Sequence, residues 1–176
     1  MSKLNIFFFS FQVLREYVPS NSSKKIKVTG IHGVSFGATE PDTFDKILVD
    51  APCSSDRHVI KDDFQHSGWS VRKSRDHAKL QKQLLVSALA SVKTGGTVVY
   101  STCTLSPYEN DEAVEHGLEE ALKKHGIQAT AVNIFNDIDS IGEFSLSRTV
   151  NQGVLIVPSK LCNWGPMYTS KILRTA

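Results

Sequence analysis

Two short runs constrain this chain more than anything else in it: Ile47-Leu48-Val49 and Thr97-Val98-Val99-Tyr100. Neither alternates polar with apolar residues, and β-branched side chains dominate both. That pattern predicts strands covered on both faces, as in a parallel sheet. Between them, residues 79–92 place Leu80, Leu84, Ala88 and Val92 on one face at helical spacing. Lys93-Thr94-Gly95-Gly96 ends that helix, with a cation in its last turn and glycine beyond.

Ser106-Pro107-Tyr108-Glu109 predicts a second helix, with Ser106 as N-cap, Pro107 at the first position and Glu109 closing a capping box. Asp111 and Glu112 favour its N-terminus and Lys123-Lys124-His125 its C-terminus, and Gly126 ends it. Residues 128–132, 154–157 and 167–173 are further strand candidates. Upstream, residues 11–17 read as a short helix, 19–23 as a polar loop, 25–29 as a strand and 30–43 as a loop. Strand, helix, strand, helix, strand is the order of an α/β fold with a mainly parallel sheet. The last segments lack intervening helices, which predicts an antiparallel hairpin at one edge.

Composition narrows the classes. The chain has 176 residues, 40% hydrophobic and 22% charged, enough for one domain with a core. A disordered tail, a collagen-like repeat and a disulfide-dense miniprotein are excluded. Twenty basic against eighteen acidic residues give a net charge of +2, which by itself implies no partner. The three cysteines, Cys53, Cys103 and Cys162, show no C-x-x-C spacing and read as reduced thiols of an intracellular protein. Ile6-Phe7-Phe8-Phe9 is far short of the roughly 20 residues that cross a bilayer, so no membrane partner is expected. Neither a signal peptide nor a transit peptide is visible at the start.

The chemistry gathers at two strand ends. One gives Asp50-Ala51-Pro52-Cys53, the other Ser101-Thr102-Cys103-Thr104. In open α/β sheets ligands bind beyond the carboxyl ends of the strands. If these strands are parallel neighbours, Asp50, Cys53 and Cys103 meet there. Pro52 lacks an N–H and stiffens its turn. The plain alternative is that each cysteine is a small buried hydrophobe, and that is the reading kept for Cys162. A cysteine hydrolase would need a His base that no signature places, and the spacing opposes a zinc site, so no metal is expected. Residues 57–82 interleave cations (Arg57, Arg72, Lys73 and Arg75 among them) with His58 and Trp69. Such a segment suits an RNA backbone and a stacked base; its alternative is a solvated basic loop and helix face.

Residues 44–58, FDKILVDAPCSSDRH, resemble the fourth motif of the Nop/Sun family of RNA cytosine-5 methyltransferases. Residues 93–106, KTGGTVVYSTCTLS, resemble its sixth. Asp56-Arg57-His58, Val157-Pro158 and Asn163-Trp164-Gly165-Pro166-Met167-Tyr168 are similar to the mitochondrial ribosomal-RNA branch. The resemblance runs from about residue 12 to the C-terminus. It implies a methyltransferase-type, Rossmann-like sheet with an antiparallel edge hairpin, and S-adenosyl-L-methionine as cofactor. It further implies small-subunit ribosomal RNA as substrate, a helical-repeat partner of the mitochondrial termination-factor family, and mitochondrial location. On that resemblance Cys103 attacks carbon 6 of cytosine, which puts electron density on carbon 5 for methylation. Cys53 assists release, and Asp50 bonds the cytosine edge near the cofactor. The target base must leave its stack.

The match is uneven. The family's Ala-x-Pro-Gly-Gly-Lys-Thr turn does not occur in these residues, and residues 6–10 offer no acid for the ribose. The third motif's Asp-Gly is His32-Gly33 here. Asp50, Gly33, His32 and Pro52 are therefore the expected cofactor contacts. Residues 1–176 are expected to form a partial domain with its first strands missing, from a shortened product or gene model, with residues 5–9 filling an edge. The alternative function is an RNA-binding scaffold in mitochondrial ribosome assembly that does not turn over.

Overall fold

The computed structural model describes residues 4–7, 29–57, 70–139, 142, 144–147, 149–160 and 164–176. Among them lie strands β1 (Leu4–Phe7), β2 (Phe44–Asp50), β3 (Val92–Thr102), β4 (Ala129–Val132), β5 (Leu146–Ser147), β6 (Val154–Ile156) and β7 (Met167–Arg174). Helices are α1 (Phe36–Thr39), α2 (Val71–Ser91), α3 (Asp111–His125) and α4 (Phe135–Asp139), with 3-10 turns at Gly33–Ser35 and Pro107–Glu109. The helix expected at 11–17 and most of the strand expected at 25–29 fall outside the described residues.

The strands form one sheet in the order β1-β2-β3-β7-β6-β5, with β4 also on β7. β1, β2 and β3 run parallel, while β7 is antiparallel to β3, β4 and β6. The α/β sheet with its antiparallel edge is thus as the strand order predicts. β1 lies along β2 with Leu4 opposite Lys46 and Phe7 opposite Val49. An N-terminal segment does occupy the edge of β2, at 4–7.

Burial departs from expectation on one face. Ile47 and Val49 of β2 pack beside Val98 and Tyr100 of β3, all fully or almost fully buried. They meet Leu85 and Leu89 of α2 and Val114 of α3 in one core. Leu48 and Val99, which point the other way, are only half-buried. Both described long helices cover the first face, so unalternating sequence here reports one closed face and one partly open one.

Three boundaries also differ. Helix α2 begins at Val71, eight residues before the expected start at 79, because Ser70 Oγ accepts from Lys73 N at 3.2 Å and caps it. Its C-terminus is held by a residue far away in sequence. Arg174 of β7 donates to Leu89 O at 3.1 Å, to Val92 O at 2.6 Å and to Asp42 Oδ1 at 2.6 Å. Lys93, the cation expected in that last turn, pairs with Asp45 at 2.9 Å instead. Finally, β3 starts at Val92 and bulges, since Phe44 pairs with Val92 but Lys46 already pairs with Thr97. Gly95 takes φ +79° there, a left-handed conformation that glycine adopts without penalty.

The bulge yields a stability prediction. A Cβ on Gly96 would lie 2.6 Å from Val92 Cγ2 and 2.9 Å from the carbonyls of Asp45 and Lys93. Gly96→Ala is expected to destabilise the fold by about 1–3 kcal/mol, measured as a lower urea midpoint at unchanged slope.

Candidate active site

β2 and β3 deliver their last residues to the same end of the sheet. Asp50 lies opposite Ser101, and Ala51 N continues the ladder by donating to Ser101 O at 3.0 Å. Just beyond, Cys53 Sγ and Cys103 Sγ are 3.3 Å apart. Asp50 ends β2 as an exposed residue beside them, and partial burial raises its carboxyl above the ordinary aspartate value.

Hydrogen bonds lock the two turns together. Ser54 Oγ and Thr104 Oγ1 are 2.8 Å apart. Asp56 Oδ2 accepts from Thr104 Oγ1 and from Leu105 N, each at 2.8 Å. Arg57 N donates to Cys103 O at 3.3 Å. Beneath them, the buried Glu109 accepts through Oε2 from Ser54 N at 2.9 Å and from Gln81 Nε2 at 3.0 Å. Gln81 Nε2 also donates to Pro52 O at 2.9 Å. Asn110 grips both neighbours of Cys103: Thr102 Oγ1 donates to its Oδ1 at 2.6 Å, and its Nδ2 donates to Thr104 O at 3.0 Å.

The capping box expected at Ser106 and Glu109 does not form. Ser106 makes no side-chain cap; its Oγ pairs with Ser74 Oγ of α2 at 2.5 Å. The Glu109 carboxylate serves the cysteine turn, and α3 starts only at Asp111, after a separate 3-10 turn.

The two thiols share a charge unequally. Once ionised, Cys53 Sγ accepts from Cys103 Sγ–H, 3.3 Å away between sulfurs, and it accepts from Cys103 N at 3.4 Å. These bonds, the sulfur one foremost, pull the Cys53 thiol down to about 6 against the opposing effect of burial. Cys103 moves the other way: its proton is held by Cys53, and burial and the Cys53 charge add to that. The two opposite shifts make Cys53 the more readily ionised thiol of the pair, with Cys103 keeping its proton.

His32 and Gly33 sit elsewhere on the same scaffold. His32 Nδ1 accepts from Val34 N at 3.4 Å and caps the 3-10 turn, and the residue is exposed. Ser87 Oγ of α2 donates to Gly33 O at 2.7 Å and accepts from Gly37 N at 2.8 Å. The anchors of the two loops on α2, Gln81 and Ser87, are about 9 Å apart along its axis. Arg72, Lys73 and Arg75 are exposed in the first turns of α2, with the Arg75 guanidinium 5.1 Å above the Tyr108 ring. Arg57 is half-buried; His58 lies outside the described residues.

A family model described as 16S rRNA methyltransferase RsmB/F matches residues 21–169. The chain belongs to the RsmB/F family. It is 36% identical over 169 residues to the 5-cytosine rRNA methyltransferase NSUN4 of Xenopus laevis, covering 93% of this chain and 41% of that protein. It is 39% identical over 165 residues to a mitochondrial tRNA (cytosine(34)-C(5))-methyltransferase of Danio rerio, covering 92% and 44%. The chain thus spans less than half the length of these relatives. The solved structure of NSun6 from Pyrococcus horikoshii with SFG superposes at a TM-score of 0.57 and 20% identity, covering 98% of this chain and 41% of that one. A methyltransferase homologue from Pyrococcus horikoshii gives 0.56 and 21%, covering 95% and 51%. These two likenesses establish the methyltransferase-type Rossmann-like fold.

Within this RsmB/F frame, sequence reasoning missed Ser55, Gln81, Thr104 and Asn110, and it misread Glu109. Their patterns are those of ordinary helix and loop polars; only the pairing of β2 with β3 gives them a task.

The charge distribution generates a prediction. Peptide-resolved iodoacetamide labelling of Cys53 is expected to rise through about pH 6, whereas Cys103 stays slow at neutral pH. Cys103→Ala removes the main cause of the shift and should move the Cys53 midpoint up toward about 8.5. An unmoved midpoint would sink the shared-proton account.

Proposed function

We propose that the chain carries the catalytic half of an S-adenosyl-L-methionine-dependent RNA cytosine-5 methyltransferase. The observation that carries this reading is the pair of sulfurs from two parallel strand ends, 3.3 Å apart beside a carboxylate. Residues 1–176 are read as one partial domain, since the chain covers 41% and 44% of the two relatives above.

Carbon 5 of cytosine is a poor nucleophile until something adds to carbon 6. Cys103 is assigned that attack. Its proton passes to Cys53 Sγ, which already accepts from it, and the thiolate so formed bonds to carbon 6. Asp50 hydrogen-bonds the cytosine edge and helps hold the charge that develops on the ring. After methylation the carbon-5 proton passes to solvent water and Cys103 leaves as a thiolate; Cys53 assists by returning the proton it had taken to the departing sulfur. When bound, S-adenosyl-L-methionine supplies an electrophilic methyl group. Asp50, Pro52, Gly33 and His32 are the residues here that would hold it. The fit is partial but real: two anchored loops stand on one helix, and the exposed His32 keeps Nε2 unused by its cap.

Ribosomal RNA is the substrate favoured by the family description, and its backbone is assigned to Arg57, His58, Arg72, Lys73 and Arg75. The first turn of α2 holds cations and no acid, against the helix dipole, so helix stability does not account for them. A mitochondrial location and a helical-repeat partner follow from the resemblance to the mitochondrial branch. The alternative reading is an RNA-binding scaffold in mitochondrial ribosome assembly. Calorimetric affinity for S-adenosyl-L-methionine discriminates the two: micromolar binding favours the enzyme, none the scaffold.

Two experiments test the assignment. Thiol addition to carbon 6 lets the carbon-5 hydrogen exchange with solvent without any methyl transfer. Deuterium uptake at cytosine carbon 5 in small-subunit ribosomal RNA is expected, and Cys103→Ala should lower it at least about a thousandfold. Exchange that survives the substitution would remove Cys103 from the role. Separately, Arg72→Glu should stabilise α2 by about 0.5 kcal/mol while weakening RNA binding. It should also flatten the log-affinity against log-salt slope by about 0.7–0.9 for each phosphate no longer neutralised. Unchanged RNA affinity would return the basic turn to a merely solvated one.

A further inference from the structure

Ser55 is the residue after Ser54 in the cysteine turn, and its backbone adopts φ +57°. That left-handed conformation is strained for a residue with a Cβ, and such strain persists where the surroundings impose it, often at functional sites. Its Oγ lies 3.8 Å from Cys53 Sγ and 3.8 Å from Cys103 Sγ. The hydroxyl donates to Cys53 O at 3.3 Å, and its oxygen is an alternative acceptor for the Cys103 Sγ–H that Cys53 Sγ otherwise takes. One rotatable O–H therefore stands equally far from both thiols, on a backbone bent to put it there.

We propose that Ser55 is a positioning residue for the cysteine pair, a hydroxyl that turns its proton to whichever sulfur bears the negative charge. The inference rests on the reading of Cys103 and Cys53 as the catalytic pair. Moving the proton from Cys103 Sγ to Cys53 Sγ moves the charge from Cys53 to Cys103. No other group is oxidised, reduced or consumed. A donor fixed on one sulfur would favour only one of these two states. A donor equidistant from both steadies each in turn, since a hydroxyl rotates at little cost and bonds to a charged acceptor are the stronger ones.

Ser55 contributes to holding both thiols down, by its backbone and hydroxyl at Cys53 and by its hydroxyl at Cys103. Among the described residues, the other charged or titratable groups around the pair oppose it or are engaged through their own bonds. Asp50 at the end of β2 raises Cys103. Asp56 is held by Thr104 and Leu105, and Glu109 by Ser54 and Gln81. Tyr100 of β3 donates to Glu109 O at 2.6 Å. The half-buried Arg57 is tied to Cys103 through its backbone.

The test uses the full chain without cofactor or RNA, following peptide-resolved iodoacetamide labelling of Cys53 and Cys103 against pH. Ser55→Ala removes the hydroxyl and keeps the strained backbone; Ser55→Gly removes both hydroxyl and strain. In each, the Cys53 midpoint should rise by about half a unit, so that labelling on its acid side slows about threefold. Thermal melting accompanies each variant, and Ser55→Gly decides if Ser55→Ala fails to fold. A Ser55→Gly chain that melts no lower than the parent with an unmoved midpoint overturns the proposal. So does a shift seen in Ser55→Ala alone, which would trace it to backbone strain. If the parent chain shows no carbon-5 exchange while both variants shift the midpoint, the methyltransferase reading fails and the hydroxyl's hold on the thiols stands.

Discussion

The register between β2 and β3 is the constraint on which the site depends. Val49 opposite Tyr100 and Asp50 opposite Ser101 bring two turns to one level, although their cysteines are fifty residues apart in sequence. A slip of one residue would turn every side chain of one strand to the opposite face. Ile47 and Val49 would leave the core, Leu48 would enter it, and Cys53 would lose its level with Cys103. The apolar core therefore enforces the spacing of the thiols: burial of Ile47, Val49, Val98 and Tyr100 selects the one register in which the sulfurs meet.

Register alone does not hold a turn to a fraction of an ångström. That falls to a buried polar layer under the cysteines, made of Gln81, Glu109 and Asn110. Apolar contacts have no direction, whereas a hydrogen bond fixes both distance and angle. Among the described residues the layer is not fully satisfied: Gln81 Oε1 and Glu109 Oε1 are buried without a partner there. An unpaired buried polar atom costs about 1–3 kcal/mol. The fold tolerates that cost where it carries the backbone of Pro52 and Ser54 and the residues on either side of Cys103. Stability is spent on geometry at the thiols, and the aliphatic packing of α2 and α3 below supplies it.

What could be read from the sequence follows from the range of each interaction. The unalternating strands, the stripe of α2 and the paired strand ends with Asp50, Cys53 and Cys103 depend on local pattern, and they were legible. The helix ends were not, because their partners are distant. Ser106 and Glu109 have the spacing of a capping box, but Ser74 and the Cys53 turn compete for both side chains and win. Likewise Lys93 sits where a helix-ending cation belongs, yet Arg174 takes the carbonyls. Ser55 gave no signal, since its importance lies in a backbone angle. The His32-Gly33 loop was legible as a departure from the family motif, but its attachment to Ser87 was not.

Helix α2 shows how these demands are reconciled in a single element. Its first turn carries Arg72 and Lys73 at the positive end of the dipole, which weakens it there. Its middle presents Gln81 to the cysteine turn and Ser87 to the Gly33 loop, replacing apolar contacts with directed ones. Its last turn recovers the loss: Arg174, almost fully buried at 11% side-chain exposure, donates to two terminal carbonyls and pairs with Asp42. A cation at the negative end of a helix stabilises it, more so when partly buried. The stabilising charge sits on β7, at the end of the sheet remote from the thiols, so the site end of α2 can carry a basic surface that helix formation alone would disfavour. Placing the cap on a strand also ties the helix to the antiparallel edge. The part of the sheet that holds no cysteine thereby helps keep Gln81, and through it the Cys53 turn, in place.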